Sequence, residues 1–160
     1  MKTIKMTKVL IALDYDPTAQ KVAEAGFSLA KTMGAEITLM HVIVDPIFYS
    51  TPENFPILEF SGVASTLQLP LNSADELKKA SQFFLDKMKH HLNDETIQTV
   101  VKDGDFADTI LKTAKELHAD LIVIGSHSHK WLDNILMGSV AEKVLRQTPI
   151  PLFIVTTQKK

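Results

Sequence analysis

Apolar residues fall along this chain in two rhythms. Unbroken branched-apolar runs occur at Val9–Leu13, from Ile37 to Val44 (interrupted by Thr38 and His41), at Leu121–Ile124 and at Leu152–Val155. Runs of this length without alternation predict strands buried on both faces, as in a parallel sheet. They give strands over Lys8–Leu13, Glu36–Val44, Leu121–Ile124 and Leu152–Thr156, and Thr96–Val101, which alternates, reads as a third, edge-like strand. Between them the spacing changes to three and four. Ala19, Val22, Ala23, Phe27, Ala30 and Met33 form one helical stripe, and Leu77, Ala80, Phe84, Met88 and His91 form a second. Ala107, Ile110, Leu111, Ala114 and Leu117 form a third, and a last helix precedes the final strand. Strands alternating with helices imply βαβ crossovers. The fold class is therefore α/β: one doubly wound domain over residues 1–160, a five-stranded parallel sheet with helices on both faces, in the expected order 3-2-1-4-5.

Polar punctuation sets the helix boundaries. Asp16 before Pro17 predicts an N-cap ahead of a first-position proline, and Gly34 a C-terminal cap. Ser73 with Glu76, and Ser139 with Glu142, have the spacing of a capping box; Asp105 caps the third helix. Residues 45–72 are different: proline-rich, yet carrying Phe48, Tyr49, Phe55, Phe60 and several leucines. That is too apolar for a solvated linker. The expectation is a packed flap over the carboxyl edge of the sheet, against the plainer alternative of an insertion without a role.

Composition narrows the classes of function. The 160 residues carry a formal charge of −2, so nothing electrostatic calls for nucleic acid or an anionic membrane. No apolar run nears the ~20 residues that span a bilayer. No export signal is evident at the N-terminus, and with no cysteine the chain has no disulfide or thiolate chemistry. A cytoplasmic location is the expectation.

The candidate chemistry lies after the fourth strand. Gly125 ends that strand, a polar loop follows, and Gly138-Ser139 opens the last helix. A helix N-terminus presents free N–H groups and the positive end of its dipole, which suits a phosphate. Ser126, Ser128 and Ser139 could add hydroxyl donors. The same glycines also read as ordinary punctuation of a strand–turn–helix unit. Neither a Walker-type glycine loop nor a Gly-x-Gly-x-x-Gly is present. His127 and His129 lack a placed carboxylate for a metal site, and no nucleophile elbow presents a serine. Trp131 and Leu132 suit anchoring of the loop, and His41 suits a hydrogen-bonded strand histidine. Asp14, at the carboxyl end of the first strand, stands beside the expected switch point, although Asp also serves as a turn former there.

Taken together, Val9–Asp14, Leu39–Val42, Ala119–Gly125, Gly138-Ser139 and Pro151–Val155 resemble, in order and over nearly the whole chain, the universal stress protein family. Its ATP-binding members carry Gly-x2-Gly-x9-Gly-Ser/Thr, matched by Gly125, Gly138 and Ser139, with Ser128 in place of the second glycine. The resemblance implies a nucleotide-responsive regulator binding ATP, with or without Mg²⁺. Asp14 would contact the nucleoside, the backbone of Val42 the adenine, and Gly125, Ser126, Ser128, Gly138 and Ser139 the phosphates. It also implies a homodimer formed by antiparallel pairing of Leu152–Thr156. Asp16, where the family often has Ser, would either repel phosphates or hold Mg²⁺ through water. Two other readings stand beside this one: a dimeric adaptor of the family without nucleotide, and a slow ATP hydrolase. Fast phosphoryl transfer needs positioned charge, and no arginine falls in the loop, the nearest being Arg146.

Overall fold

The computed structural model describes residues 1–14, 18–43, 74–126 and 137–157. Five parallel strands, β1 (Lys8–Leu13), β2 (Glu36–Ile43), β3 (Gln98–Asp103), β4 (Leu121–Gly125) and β5 (Leu152–Val155), form one sheet in the order β3-β2-β1-β4-β5. Helices α1 (Ala19–Met33), α2 (Ala74–His91), α3 (Phe106–Glu116) and α4 (Ser139–Gln147) connect them.

Strand alternation sorts the apolar side chains into two layers. Val9, Ile11, Leu13, Leu39, Ile43 and Val123 pack with α1 and α2; Leu10, Met40, Val42, Ile122 and Ile124 pack with α3 and α4. Both faces of the central strands are thereby buried, which is why their sequences are continuous rather than alternating. Polar ties lock the strand entrances. The Asp120 carboxylate accepts from the Thr7 and Lys8 amides, and Asp94 accepts from the Thr96 amide and hydroxyl while pairing with Lys31.

Several boundaries differ from expectation. The Asp94–Thr96 turn holds Thr96 out of the ladder, so β3 begins at Gln98 and not at Thr96. The N-cap of α1 is Thr18, without a side-chain cap bond; the expected cap, Asp16, lies outside the described residues. So does Ser73, ahead of α2, and so does the expected flap at 45–72. Asp105 caps α3 as expected, accepting from the Asp108 amide. The capping box at Ser139 does not form: Gly138 is the N-cap of α4, Ser139 is already helical, and Glu142 pairs with Arg146 instead of reaching back.

Helix α1 approaches the sheet through small residues: Ala19, Ala23, Gly26 and Ala30 are its buried contacts, with Val22. A Cβ at Gly26 would lie 2.8 Å from Ile11 Cδ1 and 3.1 Å from Val123 Cγ1. Gly26→Ala is expected to be nearly neutral, because the Ile11 tip can shift and helix propensity improves by ~1 kcal/mol. Gly26→Val adds two methyl groups against β1 and β4, an overpacking that costs about 2 kcal/mol. Denaturant titration checks the pair; equal stability for both variants would mean that α1 does not sit this close.

Candidate functional site

Where strand order reverses between β1 and β4, the carboxyl ends of the strands part and leave a cleft, the usual ligand position in an open α/β sheet. Its floor is Ala12, Leu13 and Asp14 from the end of β1, Val42 from β2, and Ile124 to Ser126 from β4. One wall is the start of α1 (Thr18, Ala19, Val22); the other is Phe106 and Ile110 of α3 with Val140 and Ala141 of α4. Largely apolar walls with a few polar groups, Asp14, Thr18 and Ser126, fit a flat apolar ring system carrying a polar tail.

At the rim, Gly138 closes onto β4 by donating its amide to the Ser126 carbonyl, and the Glu142 amide bonds the Gly138 carbonyl at 2.9 Å to begin the helical ladder. The amides of Ser139, Val140 and Ala141 therefore have no acceptor within the helix, and the N-cap glycine has no side chain to serve them. Three N–H groups and the positive end of α4 converge there. Gly138 has φ −68° and ψ 157°, a conformation open to any residue.

Neighbouring polar contacts brace the cleft. Lys143 of α4 reaches both Asp105 and Asp108 at the start of α3, 3.1 Å from each. The Asp108 amide, followed by Lys143, holds the Asp105 carboxyl below its usual range, and Asp108 and Asp105 raise the Lys143 ammonium above its own. Ser126 is buried; its hydroxyl accepts from the Thr157 amide at 3.0 Å and lies 3.2 Å from the Thr157 hydroxyl. That ties the end of β4 to the chain leaving β5.

The cleft thus brings together Asp14, Val42, Gly125, Ser126 and Gly138 from four separate segments, with exposed Ser139 next at the helix start. Ser128, His127, His129, Trp131 and Leu132 lie outside the described residues. Sequence reading had not singled out Thr18, Phe106 or Ile110 for the walls. Phe106 could have been found as the residue after the Asp105 cap, which puts it at the carboxyl edge. Nor had it found the Ser126–Thr157 tie, which joins residues far apart in the chain and leaves no local pattern. Among the described residues no group of three potential metal ligands occurs.

The family model described as "Universal stress protein family" matches residues 5–156. The universal stress protein YxiE of Bacillus subtilis is 29% identical over 154 residues, covering 92% of this chain and 97% of YxiE. Among solved structures, protein MJ0577 of Methanocaldococcus jannaschii superposes with a TM-score of 0.73 at 23% identity, covering 98% of this chain and 100% of that one. More distant structures include a universal stress protein in complex with cAMP (TM-score 0.60, 16% identity, 97% and 100% covered). Another, from Archaeoglobus fulgidus, is in complex with dAMP (TM-score 0.59, 17% identity, 94% and 98% covered).

Proposed function

The chain belongs to the universal stress protein family, and from that premise we propose that the cleft binds an adenine nucleotide, ATP foremost, and that the protein is a nucleotide-responsive regulator of the stress response. The observation that carries the reading is the start of α4, whose first three amides have no side-chain cap among the described residues, beside a cleft with largely apolar walls. A phosphate chain would satisfy those donors. Asp14 would take the nucleoside and the backbone of Val42 the adenine, with the apolar walls around the base. Gly125 and Gly138 leave room for the phosphates, Ser139 adds its hydroxyl, and Ser128 would complete the loop. Because the Ser126 hydroxyl already bonds Thr157, Ser126 would serve the phosphates by shaping the loop. Mg²⁺ arriving with ATP needs only one or two protein carboxylates, and Asp14 lines the cleft. The adenine nucleotides in the cAMP and dAMP complexes of its relatives support the ligand class. With no arginine near the α4 start, hydrolysis would be slow and regulatory rather than metabolic, in keeping with a cytoplasmic binding protein.

Mg-ATP is expected to raise the melting temperature. A ligand selective for the native state stabilises it by about 2.7 kcal/mol at a hundredfold excess over its Kd. An unchanged melting curve at millimolar Mg-ATP would favour the adaptor reading, in which the family fold serves docking alone.

The protein should also be a homodimer through β5. Pro151 and Val155 direct their carbonyls to β4, accepting from the Ile122 and Ser126 amides. Leu152, Ile154 and Thr156 therefore turn their backbone groups to the open edge. Lys21 Nζ occupies the Thr156 carbonyl at 2.6 Å, which limits the free edge to Leu152–Val155, and Phe153 beside it is 39% exposed. An apolar open edge of this kind pairs readily with a second copy of itself. Light scattering at tens of micromolar should give the dimer mass; monomer alone would refute it.

A further inference from the structure

One fully buried polar side chain does not touch the cleft, yet it stands directly behind it. His41 sits in β2 opposite Leu13, the last residue of β1. Its neighbour Val42 faces the cleft, so alternation turns His41 to the other layer, where Leu39, Ile43 and Phe84 are buried. Its ring meets Phe84 edge-on at 5.7 Å. In that company a leucine or methionine would pack without any polar cost. The imidazole brings one thing they lack: its Nδ1 lies 2.9 Å from the Leu13 carbonyl oxygen. A carbonyl only accepts, so Nδ1 carries the proton, and Nε2 is a bare nitrogen with no partner among the described residues. Leaving a buried nitrogen unsatisfied is a penalty. The fold carries that penalty for the sake of a bond to one particular carbonyl.

That carbonyl belongs to the same planar peptide unit as the Asp14 amide. Holding the oxygen fixes the plane, and the plane sets the direction in which Asp14 leaves the sheet. Beyond Leu13 the β1–β2 register ends, while β2 continues alongside β3 to Ile43. The peptide leading into Asp14 is therefore the first that the β1–β2 ladder does not hold on both sides.

We propose that His41 is a positioning residue of the nucleotide site: from the far face of the sheet its Nδ1–H orients the Leu13–Asp14 peptide, and so the Asp14 carboxylate, for the nucleoside. The inference rests on the nucleotide reading above, and it explains why a core position otherwise apolar carries a histidine. A binding constellation held loosely loses affinity even when all its groups are present.

The test uses the full chain at pH 7.5 with three proteins: wild type, His41→Leu and His41→Asn. Calorimetric titration with Mg-ATP gives the Kd, and melting without nucleotide gives the stability. His41→Leu trades the lost bond to Leu13 against the removal of the unsatisfied nitrogen and should melt close to wild type, yet bind Mg-ATP about five- to tenfold more weakly, the equilibrium worth of one hydrogen bond. His41→Asn, whose amide nitrogen occupies the place of Nδ1, should recover affinity to within about twofold of wild type. A merely structural histidine would move melting and affinity together. Wild-type affinity in His41→Leu would overturn the inference alone, as would a loss of affinity that only follows a lower melting temperature. A wild-type protein that binds no Mg-ATP would overturn the nucleotide reading and this inference with it. The geometry has its own check without either variant: nitrogen NMR of His41 should show the Nδ1-protonated tautomer, and the Nε2-protonated one would overturn the proposal.

Discussion

Gly138→Asp is expected to leave the ligand-free protein at least as stable as wild type while erasing its response to ATP. The two effects have one cause. As the N-cap of α4, residue 138 precedes three amides without acceptors within the helix and has no side chain to serve them. An aspartate there would accept from one of these amides and place its charge at the positive end of the helix, each effect worth several tenths of a kcal/mol. Phosphates would then meet an occupied donor and a like charge at short range. Binding should fall at least a hundredfold, roughly 3 kcal/mol, as expected when charged hydrogen bonds are replaced by repulsion. Gly138→Val reaches the same loss by a different route. Its φ and ψ suit valine, but the branched Cβ fills the space over the amides, and valine is a poor cap, so the free protein should melt slightly lower. Melting each variant with and without Mg-ATP separates the cases. An ATP response that survives in Gly138→Asp would place the phosphates away from α4.

How far the sequence revealed this site depends on whether the governing interaction is local. Strand identity was legible because burial on both faces forces a continuous run such as Leu121–Ile124. The order 3-2-1-4-5 followed from the crossover class, and the Asp105 cap from a three-residue pattern. Position-specific readings failed where two local devices compete. Ser139 with Glu142 has the spacing of a capping box, yet Gly138 is drawn onto the Ser126 carbonyl and takes the N-cap, leaving Ser139 one place inside the helix. That difference leaves the first amides of α4 without a side-chain cap, the feature on which the proposed site rests. At β3, Asp94 captures Thr96 in a turn and shortens the strand at its start. Helix α1 shows a subtler miss. Its apolar stripe pointed to Phe27, which is only half-buried, whereas the tightest approach is at Gly26, a residue invisible to any hydrophobic count. His41 is the hydrogen-bonded strand histidine expected, but its partner Leu13 and the walls of the cleft escaped because the residues that meet there are distant in sequence.

Acid should destabilise this protein in two separable stages, and the first belongs to His41. Burial pushes its imidazole down from 6.5 to about 4, with the Leu13 carbonyl opposing the shift. In the unfolded chain the ring titrates at its ordinary value. Between those limits the unfolded state binds a proton that the native state refuses, so stability falls as pH drops from about 6.5 to about 4. The shift corresponds to about 3 kcal/mol, a sizeable part of the 5–15 kcal/mol typical of a domain. The second stage comes from carboxylates. Asp94, held down to about 2 chiefly by Lys31 and then by Thr96, contributes stability that is present above 3.8 and is lost as pH falls toward 2. Asp105, Asp120 and Glu24 are lowered as well, by the Asp108 amide, the Thr7 amide and His91 respectively, and act in the same direction. Urea titrations at pH 7.5, 5.5, 4 and 2.5 resolve the stages. His41→Leu should flatten the curve between pH 6.5 and 4 and leave the lower stage intact, whereas Asp94→Asn should weaken only the lower one. A wild-type curve that is flat from pH 7 to pH 4 would mean that the native state takes up the His41 proton as readily as the unfolded chain, against the burial that disfavours it.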